Sequence, residues 1–313
     1  MFDSKVSLLI PIYGVEQYIE RCVRSLMEQT YEHCEFVFVD DCTTDKSVTI
    51  LEYILEQYPH RRKQVKIIHH EYNKGLGAAR LSAIKNSTGR YISFVDSDDW
   101  VEHDYVKRLV EVADSQNADL VTSHFNANKS DVYEEDADLF LRKLLMRRRS
   151  PHIWGNLVRR DIMDLYGILP IEGIDMAEDF HFMVKYLCVC SRVFSIGELL
   201  YHYTPDNPNS YTNRYSIKNI KSEINSLDSV YSYVMKIHPE FRCLLNVSFL
   251  EFYKASVINS NKNNVGGRNL YADYLKKNRK LNLSEKLYLY TIEHCSSFFI
   301  KIISFYFSVK YKV

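Results

Sequence analysis

Over the first 125 residues, short apolar runs alternate with amphipathic stretches. Val6–Ile10, closed by Pro11, is followed by Phe36–Val39, which ends in Asp40-Asp41, then by Val65–Ile68, Tyr91–Val95 and Asp119–Thr122. Runs this short and this rich in branched and aromatic residues predict buried strands. Between them, apolar positions recur at helical spacing. Ile19, Val23 and Leu26 mark a helix over 16–29, and Val48, Leu51, Leu55 and Tyr58 mark one stopped by Pro59. A third helix is expected over 75–86, ending near Gly89, and a fourth over 103–114 with Val106, Leu109, Val110 and Ala113 on one stripe. Strands and helices alternating at intervals of roughly 25–30 residues imply βαβ units, right-handed crossovers and a mainly parallel sheet. The fold class is α/β.

After residue 125 the rhythm changes. Residues 126–136 are polar and acidic and read as a loop or linker. Leu139–Met146 reads as a short apolar helix ending in Arg147-Arg148-Arg149, a basic triplet that most simply caps a solvated helix end. Short elements are expected at 152–161 and 175–189, the second with a helix opening at Glu178-Asp179-Phe180. Val193–Ile196 and Leu199–Tyr203 read as strands, and from Ile217 the pattern is helical to the end. The expected division is therefore 1–125, 126–215 and 216–313.

Composition narrows the function classes. Lys plus Arg equals Asp plus Glu, at 40 each, so there is no basic excess and no nucleic-acid partner is expected. The 7 cysteines lack paired C-x-x-C spacing and read as buried free thiols in a reducing compartment. Met1–Lys5 runs straight into a strand without the features of a signal peptide, and no segment reaches the roughly 18 apolar residues of a membrane span. The expected location is cytoplasmic, at the inner face of the plasma membrane if the C-terminal tail binds lipid. In that tail, residues 276–313 carry 8 Lys or Arg against Glu285 and Glu293. Its stretch from Ser297 to Phe307 is aromatic, aliphatic and basic, which suits either an interfacial anchor or a helix packed on the domain or on a second copy.

The strongest chemical signal is Asp96-Ser97-Asp98-Asp99, where a buried strand ends abruptly in crowded carboxylates. Such carboxylates repel one another unless a cation or hydrogen-bond donors compensate them. Hard oxygen ligands at a strand's carboxyl end suit Mg²⁺ or Mn²⁺ holding a phosphorylated ligand, and α/β sheets bind ligands at that edge. Taken alone, the cluster is equally a solvated turn that starts the next helix.

Several segments, in this order and spacing, carry a family likeness: VSLLIPIYGVEQYIERCVRSLMEQTY, FVFVDDCTTDKS, NKGLGAARLSAIKNSTGRYISFVDSDDW, WGNLVRRDI, MAEDFHF and YHYTPDNPNS. Over about residues 5–210 the chain resembles the inverting, nucleotide-sugar-dependent glycosyltransferases of family 2, which have the GT-A fold. The resemblance implies a donor site built from Pro11, Tyr13, Asp40, Asp41, Gly75, Arg80, Asp96, Ser97 and Asp98. In it, Tyr13 stacks on the nucleobase, Asp41 or Asp40 accepts the uracil N–H of a UDP-sugar, and Gly75 with Gly77 lets the backbone approach the donor. Arg80 approaches phosphate or ribose. Asp98 is the implied direct ligand of Mn²⁺ or Mg²⁺, with Asp96 on ribose or a metal-bound water, and Asp99 is a helper or the N-cap of the next helix. Asp179 resembles the base that deprotonates the acceptor hydroxyl. The implied acceptor is a saccharide or lipid-linked saccharide of a surface polysaccharide, with peripheral membrane contact or a homodimer as further expectations.

Three positions depart from the family pattern: Gly14 where Asn is common, Asn156 where Lys is usual, and Thr204 where a basic residue often follows the aromatic-His-Tyr segment. His202 either takes part of that missing charge or is simply packed. Two other readings stay open. A sugar nucleotidyltransferase would need a Gly-rich basic loop after the first strand, which Ile12-Tyr13-Gly14-Val15 is not. A non-catalytic nucleotide-sugar binder would have little use for Asp98 and Asp179.

Overall fold

The computed structural model describes residues 3–123, 132–205, 216–263, 268–294 and 297–310. The chain divides into two compact units that interleave in sequence. One comprises 1–137, 152–175 and 189–210; the other comprises 138–151, 176–188 and 211–313.

The first unit is built on β1 (Val6–Ile12), β2 (Cys34–Asp40), β3 (Val65–His69) and β4 (Tyr91–Phe94). Every residue of β1, β2 and β4 is buried, which is why these strands read as continuous apolar runs rather than alternating ones. They pair in parallel in the order β3-β2-β1-β4, with α1 (Ile19–Met27), α2 (Ser47–Leu55) and α3 (Leu76–Lys85) as crossovers. The register sets Ile12 beside Asp40 and Leu9 beside Phe94, so the loops after β1, β2 and β4 leave the sheet at one edge.

β5 (Trp100–Val101) and α4 (Tyr105–Gln116) precede β6 (Leu120–Ser123), β7 (Val132–Glu135), β8 (Asn156–Arg159), β9 (Val193–Ile196) and β10 (Tyr201–His202). The eight-stranded sheet runs β3-β2-β1-β4-β8-β6-β9-β7, and β5 pairs separately with β10. β8 lies antiparallel to both β4 and β6, and β7 antiparallel to β9, so the sheet is parallel in its first half and mixed in its second.

Two sequence expectations need correction here. The segment expected as a loop over 126–136 contains β7, and its residues 126–131 lie outside the described residues. β7 is an edge strand with Val132, Tyr133 and Glu134 exposed, so it lacks the apolar pattern of an internal strand. The strand expected over 199–203 shortens to Tyr201–His202, because only those residues find a partner in β5.

At the strands' amino ends Glu35 ties the sheet together. Its carboxylate accepts from Ser7 Oγ at 2.6 Å, Lys5 Nζ at 2.9 Å and Gly89 N at 3.1 Å, and from the Thr88 N–H. Burial by itself would raise this carboxyl, but the donors outweigh it and hold it at about 2.

The second unit holds α5 (Ala137–Leu145), whose first residue belongs to the other unit. Between α5 and the unit's next helix the chain returns to the first unit for β8 and α6 (Arg160–Tyr166). It continues with α7 (Glu178–Leu187), α8 (Ile217–Ile237), α9 (Arg242–Asn263), α10 (Arg268–Asn278), α11 (Leu283–His294) and α12 (Ser297–Lys310). Phe180 of α7 meets Phe252 of α9 edge-on, with ring centroids 5.0 Å apart. Buried Glu251 accepts from Tyr288 at 2.6 Å and from Ser304 at 2.8 Å, which fastens α11 and α12 to α9. The basic triplet just after α5 has Arg147 and Arg148 exposed, as expected of a solvated end, yet each arginine also finds a contact: Arg147 lies over Phe252, Arg149 over Phe140, and Arg148 donates to the Ser304 carbonyl at 3.1 Å.

Candidate functional site

At the carboxyl edge of the sheet, three loops are laced together. Tyr13 follows β1 with 53% of its surface exposed, the open aromatic face that base stacking requires. Gly14 has φ +69° and donates to Thr43 Oγ1 at 2.9 Å, joining this loop to the one after β2. Asn tolerates that left-handed conformation and nothing lies within 4 Å of the place a Cβ would take, so the backbone at Gly14 would also accept the family's Asn. Pro11 is buried inside β1 and Ser97 is buried in its turn; each shapes a strand end rather than presenting a side chain.

Asp40 accepts from Thr43 N at 2.8 Å and faces His69 Nδ1 at 3.0 Å. Asp41 is more enclosed. It contacts His70 Nδ1 at 2.6 Å and accepts from Lys74 N and Gly75 N, both at 2.8 Å, so it shapes the turn that enters α3.

Gly75 and Gly77 admit a close neighbour from the chain itself. A Cβ on Gly75 would stand 2.4 Å from Asp175 Oδ1, and one on Gly77 would stand 2.5 Å from the Ile171 carbonyl oxygen. Asp175 is buried and accepts from Gly77 N at 3.2 Å, so a carboxylate sits on the amino end of α3 where exposed N–H groups favour negative charge. The sequence reading missed Asp175. Its only signal was an acidic residue just before Met176.

Arg80 projects from α3 and is 2% exposed. It donates from Nη2 to Asp96 Oδ1 at 3.0 Å and lies over the Phe94 ring. Arg80 is therefore a buried guanidinium aimed at the carboxylate cluster. Asp96 and Asp98 are half-buried, whereas Asp99 is fully enclosed. Asp99 accepts from the Tyr201 hydroxyl at 2.7 Å and from Thr204 N at 2.7 Å. It is not the N-cap of the next helix, since α4 starts at Tyr105 with Asp104 in the cap position. Burial, followed by the charges of Asp96 and Asp98, pushes the Asp99 carboxyl up to about 8.

These groups fit a divalent cation of a particular kind. Asp98 and Asp96 are half-buried hard oxygen donors close together at an accessible edge, where a cation would relieve their mutual repulsion. Among the described residues no three metal-ligating side chains gather into a protein-built cage. Carboxylate oxygens of this kind would suit a hard divalent ion such as Mg²⁺ or Mn²⁺.

The other departures have local explanations. His202 stacks on Trp100, with centroids 3.6 Å apart, and holds Glu102 Oε1 at 2.6 Å, so it is the packed histidine. Thr204 Oγ1 accepts from Arg21 Nη2 at 2.7 Å, which brings a guanidinium from α1 to this position. Asn156 donates to the His152 carbonyl at 2.8 Å and the Ile153 carbonyl at 3.2 Å, closing the turn before β8. That turn carries Trp154, stacked on Tyr201 with centroids 4.6 Å apart. The remainder of the YHYTPDNPNS segment, from residue 206, lies outside the described residues.

Asp179 belongs to the second unit. It is half-buried in the first turn of α7, directly after Ala177, which adopts φ +59°. A non-glycine residue held in that conformation carries local backbone strain. Ser226 Oγ donates to the Ala177 carbonyl at 2.7 Å and fixes the turn.

Comparison with known proteins gives the family and the fold. The model of the family described as Glycosyl transferase family 2 matches residues 7–160, the span from β1 through β8. The chain belongs to glycosyltransferase family 2. This family 2 chain is 35% identical over 221 residues to the uncharacterized glycosyltransferase EpsJ of Bacillus subtilis, a match covering 66% of this chain and 62% of EpsJ. It thus spans less than two thirds of that relative's length. Among solved structures, S. aureus TarS 1–349 in complex with UDP superposes with a TM-score of 0.65 at 20% identity, covering 90% of this chain and 77% of that one. A mannosyltransferase from Pyrobaculum calidifontis, in complex with GDP-Man and Mn²⁺, gives 0.58 at 14% identity, covering 99% and 88%. At those identities the likeness is one of fold, and the fold is GT-A.

Proposed function

We propose that this chain transfers a sugar from a UDP-sugar to a hydroxyl of a saccharide or lipid-linked saccharide in surface-polysaccharide synthesis, with inversion in a single displacement. The observation that carries the reading is the cluster Asp96, Asp98 and Asp99, gathered with Arg80 at the carboxyl edge of the sheet in a family 2 chain. The UDP bound to TarS 1–349 supports the choice of nucleotide. Tyr13 stacks on the base, and Asp40 or Asp41 accepts the uracil N–H. Arg80 orients Asp96 and offers positive charge toward the phosphates. Asp98 and Asp96 would hold Mn²⁺ or Mg²⁺, which when bound neutralises charge on the leaving diphosphate as a Lewis acid. Asp179 accepts the acceptor hydroxyl's proton as the new bond to the anomeric carbon forms; the bond to the diphosphate breaks, and its electron pair leaves with the nucleotide.

The proposal extends to where the acceptor is met. On α12, Ser304 and Phe307 are buried, whereas Ile302, Phe305, Tyr306 and Val309 are exposed at helical spacing beside Lys301 and Lys310. An apolar stripe flanked by lysines complements the interfacial zone of an anionic membrane, and lipid is the occupant we assign to it. No described helix is long and apolar enough to cross a membrane.

A nucleotide-release assay tests the chemistry. Purified chain is incubated with Mn²⁺ or Mg²⁺ and a panel of UDP-, GDP- and dTDP-sugars, beside Asp98→Ala. Metal-dependent release from one UDP-sugar, lost in Asp98→Ala, supports the reading. Absence of release together with absence of any nucleotide binding by calorimetry overturns it.

A further inference from the structure

In the helical unit, an open cleft of about 490 Å³ lies along α8 beside the end of α7. Its wall is one face of α8, where Asn225, Asp228, Ser229, Tyr233 and Lys236 recur at helical spacing, and Lys185 enters from the last turn of α7. Lys185 is only 8% exposed, yet its ammonium meets neutral partners. It donates to Ser229 Oγ at 2.9 Å and lies 5.3 Å from the centre of the Tyr233 ring. A buried ammonium without an opposite charge is costly, and that desolvation holds Lys185 down at about 8.

The neighbouring groups do not neutralise it. His181 faces the same Ser229 hydroxyl at 3.1 Å, and burial, then the Lys185 charge, pushes its imidazole down to about 3, so it is uncharged. Asp228 lines the cleft, but its Oδ1 is engaged by Arg279 and by the Tyr274 hydroxyl. Lys236 adds a second ammonium on the exposed rim. The cleft thus combines two ammonium groups with hydroxyl and amide donors around a single carboxylate that already has a cation.

We propose that the α7–α8 cleft is a binding site for an oxyanion, a phosphate or carboxylate group of the sort carried by acidic saccharides and polyol phosphates, with Lys185 and Lys236 as its cationic contacts. The anion supplies the counter-charge that Lys185 lacks, and charge-assisted hydrogen bonds from two ammoniums hold it. Ser229, fixed by His181, adds a neutral contact. The site stands on the helical unit's own residues and does not require the transferase reading to be right.

The test is residue-resolved lysine acetylation of the full chain, read by peptide mass spectrometry at constant ionic strength. The additions are inorganic phosphate, glycerol 3-phosphate, glucuronate or glucose. Phosphate or glycerol 3-phosphate should slow acetylation at Lys185 and Lys236 by about fivefold or more at saturation, leaving exposed Lys277 on α10 unchanged. Protection by glucuronate alone also supports the site and assigns it to carboxylates. Protection by glucose as strong as by the anions overturns it. So does protection by none of the anions, or equal protection at Lys277. Lys236→Met, a substitution on the exposed rim, should weaken phosphate protection of Lys185 about tenfold while UDP affinity, measured in parallel, stays at the wild-type value. Unchanged protection in that variant contradicts the assignment of Lys236.

Discussion

The Tyr201 hydroxyl donates to Asp99 Oδ2 at 2.7 Å and accepts from the Asp96 backbone N–H at 3.1 Å. One phenol therefore spans the acidic turn, supporting its buried carboxylate and its backbone together. Tyr201 is itself held by β10 pairing with β5 and by stacking on Trp154, so the turn's shape depends on residues roughly 50–100 positions away. Tyr201→Phe removes the hydroxyl without opening a cavity. It should cost about 1–2 kcal/mol in a denaturant midpoint and reduce UDP affinity about tenfold, read by chemical denaturation and calorimetry.

Two glycines in the site should respond oppositely to substitution. At Gly77 an added Cβ meets the backbone carbonyls of Ile171 and Ile174 at 2.5 Å and 2.6 Å, neither of which can swing aside. Gly77→Ala should destabilise by about 3 kcal/mol, through overpacking against fixed backbone. At Gly14 the surrounding space is open and the φ of +69° suits Asn. Gly14→Asn should stay within about 0.5 kcal/mol of wild type. Denaturation midpoints compare the two.

Glu35 gives the acid limb of stability a defined origin. Its folded value of about 2 lies below the ordinary 4.5, so its contribution is fully present above about 4.5 and is lost as pH falls from there toward 2. Glu35→Ala leaves the Ser7, Thr88 and Gly89 donors facing no acceptor. It should cost about 2 kcal/mol at pH 7 and flatten the stability profile between those two values, measured by denaturation across pH.

The tail is best probed on its exposed face. Truncation near residue 290 would remove Ser304 and Phe307 from the network around Glu251, confusing membrane release with unfolding. Phe305, 68% exposed, carries no such load. Phe305→Glu should abolish sedimentation with phosphatidylserine vesicles while leaving UDP affinity unchanged. Unaltered sedimentation would remove lipid as the occupant, and a loss of dimer in the same variant would replace it with a second copy.

How much of this was readable beforehand depended on where the determining contacts lie. The parallel half of the sheet announced itself because β1, β2 and β4 are buried on both faces and each ends in punctuation: Pro11, Asp40-Asp41 and Asp96. The family segments likewise brought Tyr13, Asp41, Arg80 and the acidic turn to one edge. β7 went unread because an exposed edge strand leaves no apolar trace, and β8 was expected only as a short element of no stated type, because four residues inserted against the sheet's direction have no periodicity to count. Asp175 and Tyr201 were missed for a different reason. Each acts through a partner about 100 residues away, and spacing along a chain does not encode such contacts.

The most direct test is calorimetric titration of UDP into wild type and Asp98→Asn, each with and without Mn²⁺. If Asp98 and Asp96 bind a cation that bridges to the diphosphate, Mn²⁺ should tighten UDP binding about tenfold or more in wild type and have little effect in the variant. Equal enhancement by Mn²⁺ in both proteins, or none in wild type, would contradict a metal-assisted donor site at the end of β4.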